Sequence, residues 1–208
     1  MTTDREAQMA AIAEEIRLCN LCELCRGRSN PVPGAGNPNA EVLFIGEAPG
    51  MHEDQQGLPF VGNSGKFLNE MLDSIGWSRD DVFVTNVVKC RPPGNRDPLP
   101  DEIAACATHL ERQIDALDPL MIVTLGRFSM SKWFANERIS RIHGEPREVG
   151  KRVIVPMYHP AAALHQPSLR ETIKADMQRL PVILDEFKQK LRAEQDSGSG
   201  DISQMKLF

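Results

Sequence analysis

Basic charge, long apolar runs and aromatic residues are all scarce in this chain, and each scarcity excludes something. Against 29 Asp and Glu stand only 24 Lys and Arg, a net charge of −5 over 208 residues. That balance argues against a general nucleic-acid coat, where a basic excess is usual, but leaves room for a DNA enzyme with a small basic face. No stretch approaches the roughly 20 consecutive apolar residues of a membrane span. The opening MTTDREAQMAAIAEEI is polar and of mixed charge, unlike a signal peptide. A cytoplasmic protein without membrane contact is therefore expected. Aromatics make up 5% of the residues, so a phenylalanine in a glycine-rich loop stands out. Cysteines number five, three of them in LCNLCELC (Cys19, Cys22, Cys25) and two far downstream (Cys90, Cys106). In a reducing compartment such spacing suggests metal ligands or catalytic thiols before disulfides.

What is present alternates. Residues 5–18 carry Met9, Ile12 and Ile16 at helical spacing, and the Pro/Gly/Asn-rich stretch from Arg26 to Ala40 reads as loop. EVLFIG (41–46), DVFVTNVV (81–88), LMIVTLG (120–126) and KRVIVPMYHP (151–160) read as buried strands. Helices are expected from Ser64, as a cap, to residue 77, over 100–117 behind Pro100, Asp101 and Glu102, and over 127–135. Two further helical pieces, 168–180 and 182–192, are separated at Pro181. The expectation is a three-layer α/β/α domain over residues 1–192 with a central, mostly parallel four-stranded sheet. In such sheets ligands bind beyond the carboxyl ends of the strands.

Those ends carry unusual chemistry. GEAPGMHEDQQGLPFVGNSG (46–65) delivers Glu47 into glycine-rich turns whose N–H groups suit phosphate or an anionic ring. Phe60 is either a stacking platform for a planar base or a plug of the core. Asn86 offers a donor and an acceptor side by side, matching the N3–H and O4 edge of uracil or thymine, or it merely caps a turn. Lys89, Arg91 and Arg96 form a stiff basic loop, suited to phosphates or simply solvated. His159 leaves a strand directly before Pro160, placed to stabilise charge on a departing base or to serve a structural role. Leu164, a few residues on, is a candidate wedge for a base stack.

In order, GEAPG…GLPFVG, TNVVKCRPPGNRDP, LGR and HPAAAL resemble the family 4 uracil-DNA glycosylases, from about Cys19 to Arg192. The resemblance implies a monofunctional glycosylase of base excision repair, associated with the nucleoid, that flips uracil out of single- or double-stranded DNA and hydrolyses its N-glycosidic bond. It implies a 4Fe–4S cluster on Cys19, Cys22, Cys90 and Cys106, with Cys25 a spare thiol. Spacing alone leaves iron–sulfur and zinc both open. By the same resemblance Ala48, Phe60 and Asn86 hold uracil, His159 donates to its O2, and Glu47 orients or activates water. Ser64, Arg91 and Arg170 are implied phosphate contacts. A sister group that links covalently to DNA carries GEQPG and an inserted KRRIH loop; Ala48 and the missing insertion point to turnover. The RIH ending at His143 lies well beyond that position.

Residues 193–208 read as a flexible tail. Its end, QMKLF, resembles the sliding-clamp-binding pentapeptide, with Gln204, Met205, Leu207 and Phe208 as anchors. A DNA polymerase sliding clamp is thus an expected partner, and the protein itself is expected to be a monomer. The rival from another class is a non-catalytic iron–sulfur module that binds nucleotides.

Overall fold

Alternate residues of each central strand face opposite sides, and this builds the layers. The computed structural model describes residues 4–199. After helices α1 (Asp4–Leu18) and α2 (Leu24–Gly27) come strands β1 (Ala35–Gly36) and β2 (Val42–Gly46). Next are α3 (Met51–Gln56), α4 (Asn63–Ser74), β3 (Val82–Asn86), α5 (Pro100–Leu117) and β4 (Met121–Leu125). Short helices α6 (Arg127–Met130) and α7 (Ile139–Ile142) lead to β5 (Arg147–Val149) and β6 (Arg152–Met157). Helices α8 (Pro160–His165) and α9 (Leu169–Ser199) follow.

The sheet order is β1-β3-β2-β4-β6-β5. The inner four strands are parallel, as expected, and β1 and β5 add short antiparallel edges that the four-stranded expectation lacked. Two and three residues are too few to print a period of two. Val42 and Phe44 face a layer containing Phe67 and Met71 of α4 and Ile173 and Met177 of α9. Leu43 and Ile45 face Ile12 and Ile16 of α1 and Leu110 and Ile114 of α5. Burial on both faces explains why these strands read as unbroken apolar runs.

Three local expectations are corrected. Gly62, not Ser64, precedes α4, so Ser64 lies inside its first turn. The helix expected over 127–135 is a single turn, α6. Pro181 interrupts nothing: α9 is one helix through it and continues beyond Arg192 to Ser199. An internal proline costs a helix about 3 kcal/mol. Leu180, Met177 and Ile173 before it and Ile183, Leu184 and Phe187 after it all enter one core. Each such side chain contributes about 1.5–3 kcal/mol when buried, so the packing outweighs the break. Among the described residues no helix is long and apolar enough to cross a membrane. Gln204, Met205, Leu207 and Phe208 lie outside the described residues.

Candidate active site and cysteine recess

Parallel strands end on one edge, and register brings their terminal residues together. Gly46 of β2 pairs with Asn86 of β3. Glu47 and Ala48 follow the first strand, and His159 follows β6. A cleft of about 240 Å³, open to solvent, is lined by Glu47, Ala48, Glu53, Phe60, Ser64, Asn86, Asn95, Arg96 and His159, among others.

Glycine makes the close approach possible. A Cβ on Gly46 would stand 2.3 Å from Asn86 Oδ1 and 2.7 Å from the Phe60 ring. Phe60 itself is held at φ +54°, a left-handed conformation unusual for a bulky residue. Its carbonyl abuts Gly65 so tightly that a Cβ there would lie 1.8 Å from it, and Arg79 donates to the same oxygen at 2.9 Å. The ring is thereby fixed against the His159 imidazole, centroid to centroid 5.5 Å and inclined by 26°.

Glu53 braces both glycine-rich turns. Its buried carboxylate accepts from the Gly50 N–H at 3.1 Å, from Val61 at 2.9 Å and from Gly62 at 2.8 Å. Sequence reasoning passed over this residue. Its signal was a glutamate three residues after Gly50, where a helix turns back on its own start.

Asn86 is 2% exposed, and its Oδ1 is buried with no hydrogen-bond partner among the described residues. Buried polar atoms are normally paired, so such an oxygen is what a ligand donor would satisfy. His159 accepts the Ala161 N–H on Nδ1 at 3.1 Å. In a neutral ring that places the proton on Nε2. Burial holds this imidazole down to about 4, against a smaller opposing pull from Glu53. Half-buried Glu47 is pushed up by burial and by Asp97, with Arg127 opposing.

The remaining expected contacts scatter around the rim. Ser64 lines the cleft. Arg91 donates to Asn95 Oδ1 at 2.7 Å, and Leu164 is exposed on α8. Arg170 is set apart, paired with Glu70 and lying 4.2 Å over the Phe67 ring. His143 bonds Asp176 at 2.8 Å and does not line the cleft.

Beyond β3 lies a second recess. Cys19, Cys22, Cys25, Cys90 and Cys106 all line it, with Arg28, Lys89 and His109. Burial pushes the Cys90 thiol up to about 11, and raises Cys22 and Cys106 as well. Arg28 donates to Cys90 Sγ at 3.1 Å. Buried thiols crowded this way become stable thiolates only against a metal's charge. Among the described residues no group of three or more His, Cys, Asp or Glu side chains is placed to hold a metal ion; by donor chemistry, five cysteines around one recess are the set that an iron–sulfur cluster takes. The residues present fit such a group. Fully buried Lys89, held down to about 8 by burial, gives its protons to Thr85 Oγ1, the Asn86 carbonyl and Gln113 Oε1, each at 2.7 Å.

Comparison with known proteins bears on the cleft. Residues 33–180 match the family model described as the uracil DNA glycosylase superfamily. A type-4 uracil-DNA glycosylase of Archaeoglobus fulgidus is 48% identical over 178 residues, covering 81% of this chain and 89% of that protein. Type-4 enzymes of Saccharolobus solfataricus and Sulfurisphaera tokodaii are 47% and 49% identical, over 85% and 81% of this chain and 89% and 81% of theirs.

Proposed function

The chain belongs to the uracil DNA glycosylase superfamily, and from that premise we propose that it excises uracil from DNA by hydrolysis. One observation carries the reading. Phe60, Asn86, whose Oδ1 has no partner among the described residues, and His159, whose Nδ1 is taken by the Ala161 N–H, line a single cleft beyond the strand ends.

A base inside a duplex is out of reach, so the uridine must leave the stack, at a cost of a few kcal/mol. The uracil ring lies on Phe60. Asn86 Oδ1 accepts N3–H and its amide donates to O4, while the backbone near Glu47 and Ala48 fixes the ring's orientation. A cytosine edge, with a donor at N4 and an acceptor at N3, fits this set less well. As the C1′–N1 bond breaks, its electron pair passes to the base. Neutral His159 donates Nε2–H to the O2 that gains this charge, without surrendering the proton. Glu47, ionised, holds a water against C1′ and takes its proton as the C–O bond forms, and its charge favours the cationic sugar. The products are free uracil and an abasic site. Ser64 and Arg91 contact phosphates, Leu164 enters the gap in the stack, and Arg170 reaches DNA by exchanging its pairing with Glu70.

Cys19, Cys22, Cys90 and Cys106 hold a 4Fe–4S cluster in this reading, and Cys25 stays outside the ligand set. Bound there, the cluster supplies a covalent tie between the end of α1, the loop after β3 and α5. The terminal Gln204, Met205, Leu207 and Phe208 dock on a sliding clamp.

The test is release of uracil from a uracil-containing oligonucleotide, read as strand scission after alkali. Scission by the wild-type protein, lost in Asn86→Ala and His159→Ala, supports the assignment. No scission on single- or double-stranded substrate by cluster-loaded protein refutes it, and a gel-shifted adduct in its place would indicate covalent linkage.

A further inference from the structure

His109 lies on α5 one turn beyond Cys106 and shares its helix face. The side chain is 6% exposed. Both ring nitrogens are buried, and neither has a partner among the described residues. An imidazole must carry at least one N–H, and a buried donor without an acceptor is unfavourable. Its neighbours offer no remedy. Lys89 and Arg28 are donors only, and Glu15 is engaged in an ion pair with Arg112. What His109 does share is a recess lined by cysteine sulfurs. There the Arg28 guanidinium already makes an N–H···S bond to Cys90.

We propose that His109 donates its N–H to a sulfur of the iron–sulfur group, either the Cys106 thiolate or a bridging sulfide. The inference rests on the cluster reading given above. Hydrogen bonds to cluster sulfur draw off negative charge and favour the reduced form, so His109 raises the reduction potential and shields the sulfur it touches. It is a positioning and tuning residue for the cofactor, remote from the base.

The experiment uses anaerobically purified holoprotein, with His109→Phe, which keeps an aromatic ring but no N–H, and His109→Gln, which keeps a donor. Iron and acid-labile sulfide per chain, reduction potential by film voltammetry and the rate of visible bleaching in air are measured on each. Expected are equal iron contents, a lower potential and roughly several-fold faster bleaching in His109→Phe, and partial recovery in His109→Gln. Equal potentials and bleaching rates in wild type and His109→Phe at equal iron content overturn the proposal. So does a shift in His109→Gln as large as that in His109→Phe. Should His109→Phe fail to fold, His109→Leu against His109→Gln decides in the same way. A wild-type protein without iron or sulfide refutes the cluster reading instead, a distinct result.

Discussion

Replacing Glu53 separates a brace from a catalyst. The carboxylate lines the cleft and so invites a reading as general base, yet three backbone N–H groups occupy its oxygens. A hydrogen bond to a charged group is worth about 1.5–3 kcal/mol net, giving a gross ~4–9 kcal/mol for three. Gly50, Val61 and Gly62 are each half-buried, so water recovers part of this, and Glu53→Ala is expected to cost about 3–4 kcal/mol. Glu53→Gln keeps one oxygen for Val61 and Gly62 but turns an amide donor toward Gly50, a loss of about 1–2 kcal/mol. Activity should follow the same order, because Phe60 and Gly62 lie in the braced turns. Urea denaturation gives the first quantity and uracil release the second. A general base predicts equal, near-complete loss of kcat in both variants with little change in stability. That pattern would refute the brace, as would a Glu53→Ala protein destabilised by less than ~1 kcal/mol.

Further outcomes follow from the same geometry. Because His159 titrates only near 4, it stays a neutral donor at moderate acidity, and the acid limb of the rate profile should belong to Glu47, raised by burial; Glu47→Gln should flatten that limb at a much lower rate. The unfolded imidazole titrates near 6.5, so it binds protons that the folded one refuses between about 6.5 and 4, and stability should fall as pH is lowered through that window, with part of the loss recovered in His159→Gln, read by thermal melting. Gly46→Ala puts a methyl against Asn86 Oδ1 and the Phe60 ring, and the base pocket should lose activity by at least roughly tenfold while the sheet still forms, as judged by uracil release and circular dichroism. Lys89→Met strips a proton donor from three buried acceptors and should cost about 2–4 kcal/mol in urea, with weaker inhibition by free uracil, since one of those acceptors is the Asn86 carbonyl.

What the sequence disclosed divides along a physical line. The inner strands and α5 were legible because each is long enough for its burial pattern to repeat, and the helix bounds of Pro100–Leu117 follow from a proline start with Asp101 and Glu102 behind it. Glu47, Phe60, Asn86 and His159 were legible for a different reason: parallel strands must end on one edge, so whatever follows them is neighbourly whatever its distance along the chain. The edge strands and α3 were not legible, since two to six residues carry no periodicity that outweighs Gly, Pro and Asn. Glu53 and His109 escaped on other grounds. Glu53 is set by backbone N–H groups of a turn 8 and 9 residues away, and His109 stands out only once cysteines from three separate segments line one recess beside it. Pro181 shows the converse error, a strong local rule overruled. Leu180 and Ile183 enter one core on either side of it, and the burial of α9 decides the backbone that the proline alone would have broken. Local chemistry thus names residues that line the cleft, while those that hold them in place become visible only once distant backbone atoms are brought together.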